Sequence, residues 1–146
     1  MEVLAVNTQL IAKLNEILEW ELSGVARYLH YSLMVTGPNR IPIVKWFRDQ
    51  ASEAFDHAAT IGEKITALGG HPSIKVTQPP ERNEHGVMAI LNESLEYELE
   101  GLKMYEAVLA MTDGNIALEE LIREQIRLEQ EHVEEVRKML APASSH

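Results

Sequence analysis

Residues 18–28 read "LEWELSGVARY", and residues 95–105 read "LEYELEGLKMY". They align without a gap at Leu18/Leu95, Glu19/Glu96, Glu21/Glu98, Leu22/Leu99, Gly24/Gly101 and Tyr28/Tyr105. An internal echo of this kind points to one structural unit used twice. Neither stretch holds a proline, and both place apolar residues three and four apart, the period of a helix face. Extending the period gives a column Leu14, Leu18, Glu21, Val25, Tyr28 in the first half. The second half gives Leu91, Leu95, Glu98, Leu102, Tyr105. A glutamate interrupts each column at the same point.

Two further columns accompany them. One reads Ile43, Phe47, Gln50, Ala54, His57, Ile61, and the other Leu118, Ile122, Gln125, Glu129, His132, Val136. They match in order: two apolar residues, Gln, then Ala or Glu, then His. Four helices follow. The first is capped by Asn7 or Thr8 and runs to about Val35. The second has Pro42 in its first turn and continues to about Leu68. The third runs from near Glu84 to the Asp113-Gly114 turn, and the fourth from about Ile116 to Leu140, closed by Pro142. The first connection is expected to take about seven residues and the third two to three, so both join antiparallel neighbours. The middle one, "GGHPSIKVTQPPERN" (residues 69–83), is long enough to span a helix of about 39 Å. The expected fold is all-α: one four-helix bundle over residues 1–146, made of two hairpins joined by a long ordered crossover.

The composition agrees. Hydrophobic residues make up 45% of the 146, charged residues 25% and aromatics 5%, as in a globular helical domain. A formal charge of −10 argues against nucleic acid as a partner, because phosphate binding needs clustered Lys and Arg; it suits cations. Cysteine is absent, which removes disulfides, thiolate metal sites and cysteine nucleophiles. The start "MEVLAVNTQL" has no basic region before an apolar run, and no segment has membrane-spanning length. The expectation is a cytoplasmic protein with no membrane partner.

Glu21, Glu98, Glu129, His57 and His132 therefore interrupt apolar columns on four helices, and no Lys or Arg occupies those stretches. A carboxylate buried without a partner costs several kcal/mol. Three would exceed a typical net stability of about 5–15 kcal/mol. Protonation, exposure or bound cations resolve this, and carboxylate oxygen with imidazole nitrogen suits Fe, Mn or Zn.

One Glu from each of two helices, with Glu and His contributed by the others, resembles the carboxylate-bridged di-metal bundle of ferritin-like proteins. The pieces "EWELSGVARY", "DHA" before a "GGHP" turn, "YELEGLK" and "EQEH" resemble bacterioferritins in particular. The resemblance implies a ferroxidase: two Fe(II) bound, oxidised by O2 or H2O2, and stored as Fe(III) mineral. It makes Glu21 and Glu98 terminal ligands, His57 and His132 ligands to one iron each, and Glu129 a bridge, with Tyr28 beside the site. It also implies a homo-oligomer, a dimer through the first two helices at least and a cage at most.

The sequence departs from that pattern at three places. Ala54 stands where a second bridging Glu is expected, so the second iron is expected to bind more weakly. Glu53 lies about 100° around the helix from Ala54, one turn before His57, and a π-bulge would bring it into register as a replacement ligand. Its other roles are to relay iron at the inner surface or to meet water. Phe55 stands where the haem-ligating Met is expected, which argues against haem. Only "APASSH" follows Leu140, in place of a fifth helix. A di-iron or di-manganese peroxidase and a non-catalytic metal-binding subunit remain alternatives.

Overall fold

The computed structural model describes residues 2–78 and 82–143, with side chains from residue 7 onward. It holds four helices, α1 (Glu2–Met34), α2 (Arg40–Ala67), α3 (Val87–Leu109) and α4 (Ile116–Leu140). No strand occurs among the described residues. α1 packs along α2, α3 along α4, and α1 also meets α3. No described helix is long and apolar enough to cross a membrane.

Three boundaries differ from the sequence reading. α1 begins at Glu2, so Asn7 and Thr8 lie inside it. No proline falls between residues 2 and 34, and Asn or Thr costs a helix interior only tenths of a kcal/mol. α3 begins at Val87 because Gly86 stays extended (φ −74°, ψ 135°). The preceding carbonyl of His85 accepts from the backbone N–H (3.0 Å) and hydroxyl (3.2 Å) of Thr36. α3 ends at Leu109, and residues 110–115 form the turn into α4. There the side chain of Asn115 accepts from the Leu118 N–H at 3.1 Å and caps α4.

The crossover climbs α1. Asn15 donates to the His71 carbonyl at 3.0 Å and accepts from the Ser73 N–H at 2.8 Å. Ser23 donates to the Thr77 carbonyl at 2.6 Å, and the Gln78 amide donates to the Ser23 carbonyl at 2.9 Å. With Thr36 holding His85, these ties follow α1 over about 30 Å. Of the residues read as crossover, Pro79, Pro80 and Glu81 lie outside the described residues, as do Met1 and Ser144, Ser145 and His146 at the ends.

The core has two apolar clusters. One contains Leu14, Ile17, Ile61, Ile65, Tyr105 and Ile122. The other contains Tyr28, Tyr31, Phe47, Ile90, Leu91 and Val136. Between them lies a polar layer of Glu21, Glu98 and Glu129, 2%, 3% and 5% exposed.

The echoed segments meet reciprocally. Trp20 of α1 and Tyr97 of α3 share the third position of the echo and stack, with ring centroids 4.4 Å apart and 15° between planes. The Tyr97 hydroxyl donates to the Trp20 carbonyl. Trp20 lies on Gly101, where a Cβ would overlap its ring; Tyr97 lies on Gly24, where a Cβ would be 2.8 Å from the hydroxyl. Each glycine accepts the other half's aromatic ring, and Val25 and Leu102 beside them are only half-buried.

Gly62 supplies the contrast, with nothing within 4 Å of a Cβ placed there. Gly101→Ala is expected to destabilise by about 1–3 kcal/mol through overpacking. Gly62→Ala is expected to stabilise by up to about 1 kcal/mol through helix propensity. Urea denaturation of both variants checks the opposite signs.

Candidate metal centre

The polar layer consists of two similar halves. In one, His57 Nδ1 of α2 lies 3.5 Å from Glu21 Oε1 of α1. In the other, His132 Nε2 of α4 lies 3.5 Å from Glu98 Oε1 of α3. Tyrosines link the halves crosswise. Tyr105 donates to Glu21 Oε1 at 2.7 Å, and Tyr28 donates to Glu98 Oε1. The Tyr28 oxygen also lies 3.2 Å from His132 Nε2. Each hairpin thus carries the hydroxyl that holds the other hairpin's carboxylate.

Glu129 breaks the symmetry. Its Oε1 lies 3.9 Å from His57 Nδ1, while the matching position on α2 is Ala54, itself buried. Glu21, His57 and Glu129 each offer a ligand atom, and the three atoms lie within 4.8 Å of one another. Glu98 and His132 complete the layer beside them.

Burial sets the electrostatics. It raises the Glu21 carboxyl above its usual range, and the adjacent His57 only partly opposes this. Burial raises Glu129 further, with Glu98 adding to the effect. Burial pulls His57 down, but the Glu21 carboxylate beside it outweighs that and leaves it raised. The hydroxyls of Tyr28 and Tyr105 are pushed far up by burial and then by the carboxylates they serve, so both stay protonated donors.

The donor set fits a divalent metal. Glu98 Oε2 and Glu129 Oε2 are buried without a hydrogen-bond partner. An unsatisfied buried carboxylate oxygen costs at least about 1–3 kcal/mol, and a cation removes that cost. The cavity between these groups is about 20 Å³, space for about one water-sized sphere. A metal entering it must exchange hydration water for protein ligands.

All five residues predicted from the apolar columns meet in this layer. Glu53 behaves differently. α2 is continuous α-helix from Arg40 to Ala67, with no π-bulge to turn Glu53 inward. Glu53 is exposed, lines the mouth of the same cavity and lies outside the Glu21–His57–Glu129 triad. Its charge still reaches His57 and Glu129. Phe55, which stands where a haem-ligating Met is expected, is 63% exposed.

The sequence reading missed Trp20, Tyr97 and Trp46. Trp46 packs on the His132 ring with centroids 5.3 Å apart. Trp20 and Tyr97 had a signal, because the echo keeps an aromatic at its third position. Trp46 had none, since the matching position on α4 is Leu121.

A sequence profile of the family described as "Ferritin-like domain" matches residues 11–144. Among solved structures, a ferritin-like diiron-carboxylate protein from Bacillus anthracis str. Ames is 28% identical. The match covers 93% of this chain and 98% of that one, with a TM-score of 0.88. Rhodobacter capsulatus bacterioferritin is 24% identical, with 91% and 84% of the two chains covered and a TM-score of 0.80. A dodecameric thioferritin, the bacterioferritin-related protein of Bacteroides fragilis, is 23% identical, with 92% and 85% covered and a TM-score of 0.82. At those identities the last two speak for the fold alone. A comparison with curated proteins finds no match. With the profile spanning nearly the whole chain and four helices carrying carboxylates and imidazoles into one layer, the chain belongs to the ferritin-like family.

Proposed function

We propose that the chain oxidises Fe(II) and stores the product as Fe(III), with Glu21, His57, Glu98, Glu129 and His132 holding two irons in the polar layer. The observation that carries this reading is the pair of half-sites, Glu21/His57 and Glu98/His132, with Glu129 between them and two carboxylate oxygens left unpartnered. The diiron-carboxylate relative from Bacillus anthracis supports iron as the metal. Mn and Zn suit the same donors.

Two Fe(II) ions held there would supply the two electrons that, with two protons from water, take H2O2 to two waters or O2 to H2O2. The chain's own groups position this chemistry. Glu21 and Glu98 are terminal ligands, each fixed by the other hairpin's tyrosine. Glu129, between the two half-sites and with one oxygen unpartnered, would bridge. The apolar clusters on either side limit water, which strengthens the attraction between carboxylates and cations.

Ala54 favours a second reading, a non-catalytic metal-binding subunit. A buried methyl group stands where the symmetry of the layer calls for a second carboxylate. The two readings differ in turnover. Catalytic Fe(II) oxidation with retained mineral belongs to the first, and stoichiometric binding without turnover to the second. Peroxide consumption without iron accumulation would indicate a di-iron or di-manganese peroxidase.

The exposed apolar side chains Leu29 and Leu33 of α1 and Phe55 of α2 support a homo-oligomer through the first hairpin, and the Bacteroides fragilis relative is a dodecamer. Phe55 has no atom able to ligate iron. Sedimentation is expected to give at least a dimer, and the purified oligomer to show no Soret band of thioether-ligated haem.

Anaerobic titration is expected to show two Fe(II) per subunit, the second weaker because Ala54 removes a bridging charge. Glu129→Ala and His132→Ala are expected to reduce binding more than Glu53→Ala. Saturation at one iron, with no second site at high Fe(II), would sink the two-metal form.

Ala54→Glu is expected to speed Fe(II) oxidation by completing the carboxylate set, at a stability cost of about 1–3 kcal/mol. A Cβ at Gly24 would already lie 3.3 Å from the Ala54 Cβ, so the space is close. Glu53→Gln is expected to slow oxidation if Glu53 swings in as a replacement ligand. Stopped-flow absorbance of both variants checks this: parent-rate oxidation by Glu53→Gln removes Glu53 from the ligand set, and slower oxidation supports a ligand role only where metal association keeps the parent rate.

A further inference from the structure

We infer that Trp20 and Tyr97 wall off the metal centre on the α1–α3 side, so that Fe(II) reaches it from the α2–α4 side past Glu53. This inference rests on the proposed function.

The same two rings line two spaces. On one side is the 20 Å³ cavity of the centre. On the other is an open groove of about 830 Å³ between α1, the crossover and α3. The rings are in stacking contact, which leaves no gap for a hydrated cation. They are also held in place. Trp20 fills the space over Gly101, the Tyr97 hydroxyl lies over Gly24 and bonds the Trp20 carbonyl, and the Arg27 guanidinium lies 4.5 Å from the Tyr97 ring centroid. Arg27 is itself buried and lines the groove. Its charge over the outer ring adds a cation–π contact.

The groove carries Glu19, Glu96 and Glu100. Glu96 is paired with Arg82 at 3.1 Å, while Glu19 and Glu100 can gather cations, yet the two rings separate all three from the centre. The opposite face presents a carboxylate in place of a ring pair. Glu53 of α2 is exposed to solvent and lines the same cavity as Glu21, His57 and Glu129. A cation held by Glu53 can exchange water for Glu129 and His57 in turn. Trp20 and Tyr97 are thus positioning residues that fix the direction of access, and Glu53 is the first carboxylate on the open route.

Co(II) tests this, since its visible absorbance reports ligation without oxidation. In stopped flow, Glu53→Gln is expected to slow Co(II) association in the parent by about tenfold. Trp20→Ala is expected to speed association by about tenfold and to make it insensitive to Glu53→Gln. The number of Co(II) bound at equilibrium is expected to stay the same, a split that a merely structural role for Trp20 does not produce. If circular dichroism shows that Trp20→Ala loses its helices, Trp20→Leu, which keeps part of the volume over Gly101, takes its place under the same expectations. A parent-like association rate in the folded Trp20 variant overturns the wall. A parent-like rate in Glu53→Gln overturns the Glu53 route. If the Co(II) spectrum persists unchanged in Glu129→Ala, the metal is not in this centre, and the proposed function fails instead.

Discussion

Three glutamates occupy the middle of an apolar bundle, and among the described residues their only ion-pair partners are histidines. Charges in such a place must be neutralised or hydrogen-bonded. The fold meets that demand across the pseudo-symmetric halves, with Tyr105 serving Glu21 and Tyr28 serving Glu98. Two carboxylate oxygens still lack partners. A proton or a cation would satisfy those oxygens, and there the architecture of the chain meets its chemistry.

The reciprocal pattern also ties the hairpins together. α1 and α3 approach closely because Gly24 and Gly101 leave room for Tyr97 and Trp20. The ring pair is therefore both a packing element and one wall of the centre. Apolar clusters lie on either side of the polar layer. A shift in one hairpin moves a tyrosine away from the other hairpin's carboxylate, so hairpin packing and the geometry of the layer are coupled.

Symmetry fails at one pair of positions, Ala54 and Glu129. The result is a layer with two carboxylates beside His57 and one beside His132, and Glu53 exposed at the edge of the same cavity. Because α2 keeps α-helical geometry through this segment, the one-residue offset between Glu53 and Ala54 stays a rotation of about 100°. This is the physical reason that the Glu53 side chain starts outside the layer while the Ala54 methyl lies in it.

The sequence by itself determined the four helices, the crossover and the five residues that meet in the layer. Helical periodicity is a property of local spacing, and Glu21, Glu98, Glu129, His57 and His132 each interrupt an apolar column visibly. It misplaced the starts of α1 and α3. Asn7 and Thr8 are too weak to stop a helix alone, and the start of α3 depends on Thr36, far away in sequence, holding His85. The tertiary structure alone decided which tyrosine serves which carboxylate, that Trp20 and Tyr97 stack across the halves, that Trp46 lies on His132, and that Glu53 faces solvent. Those facts depend on how one helix is turned against another, and the order of residues along a single helix does not contain that angle.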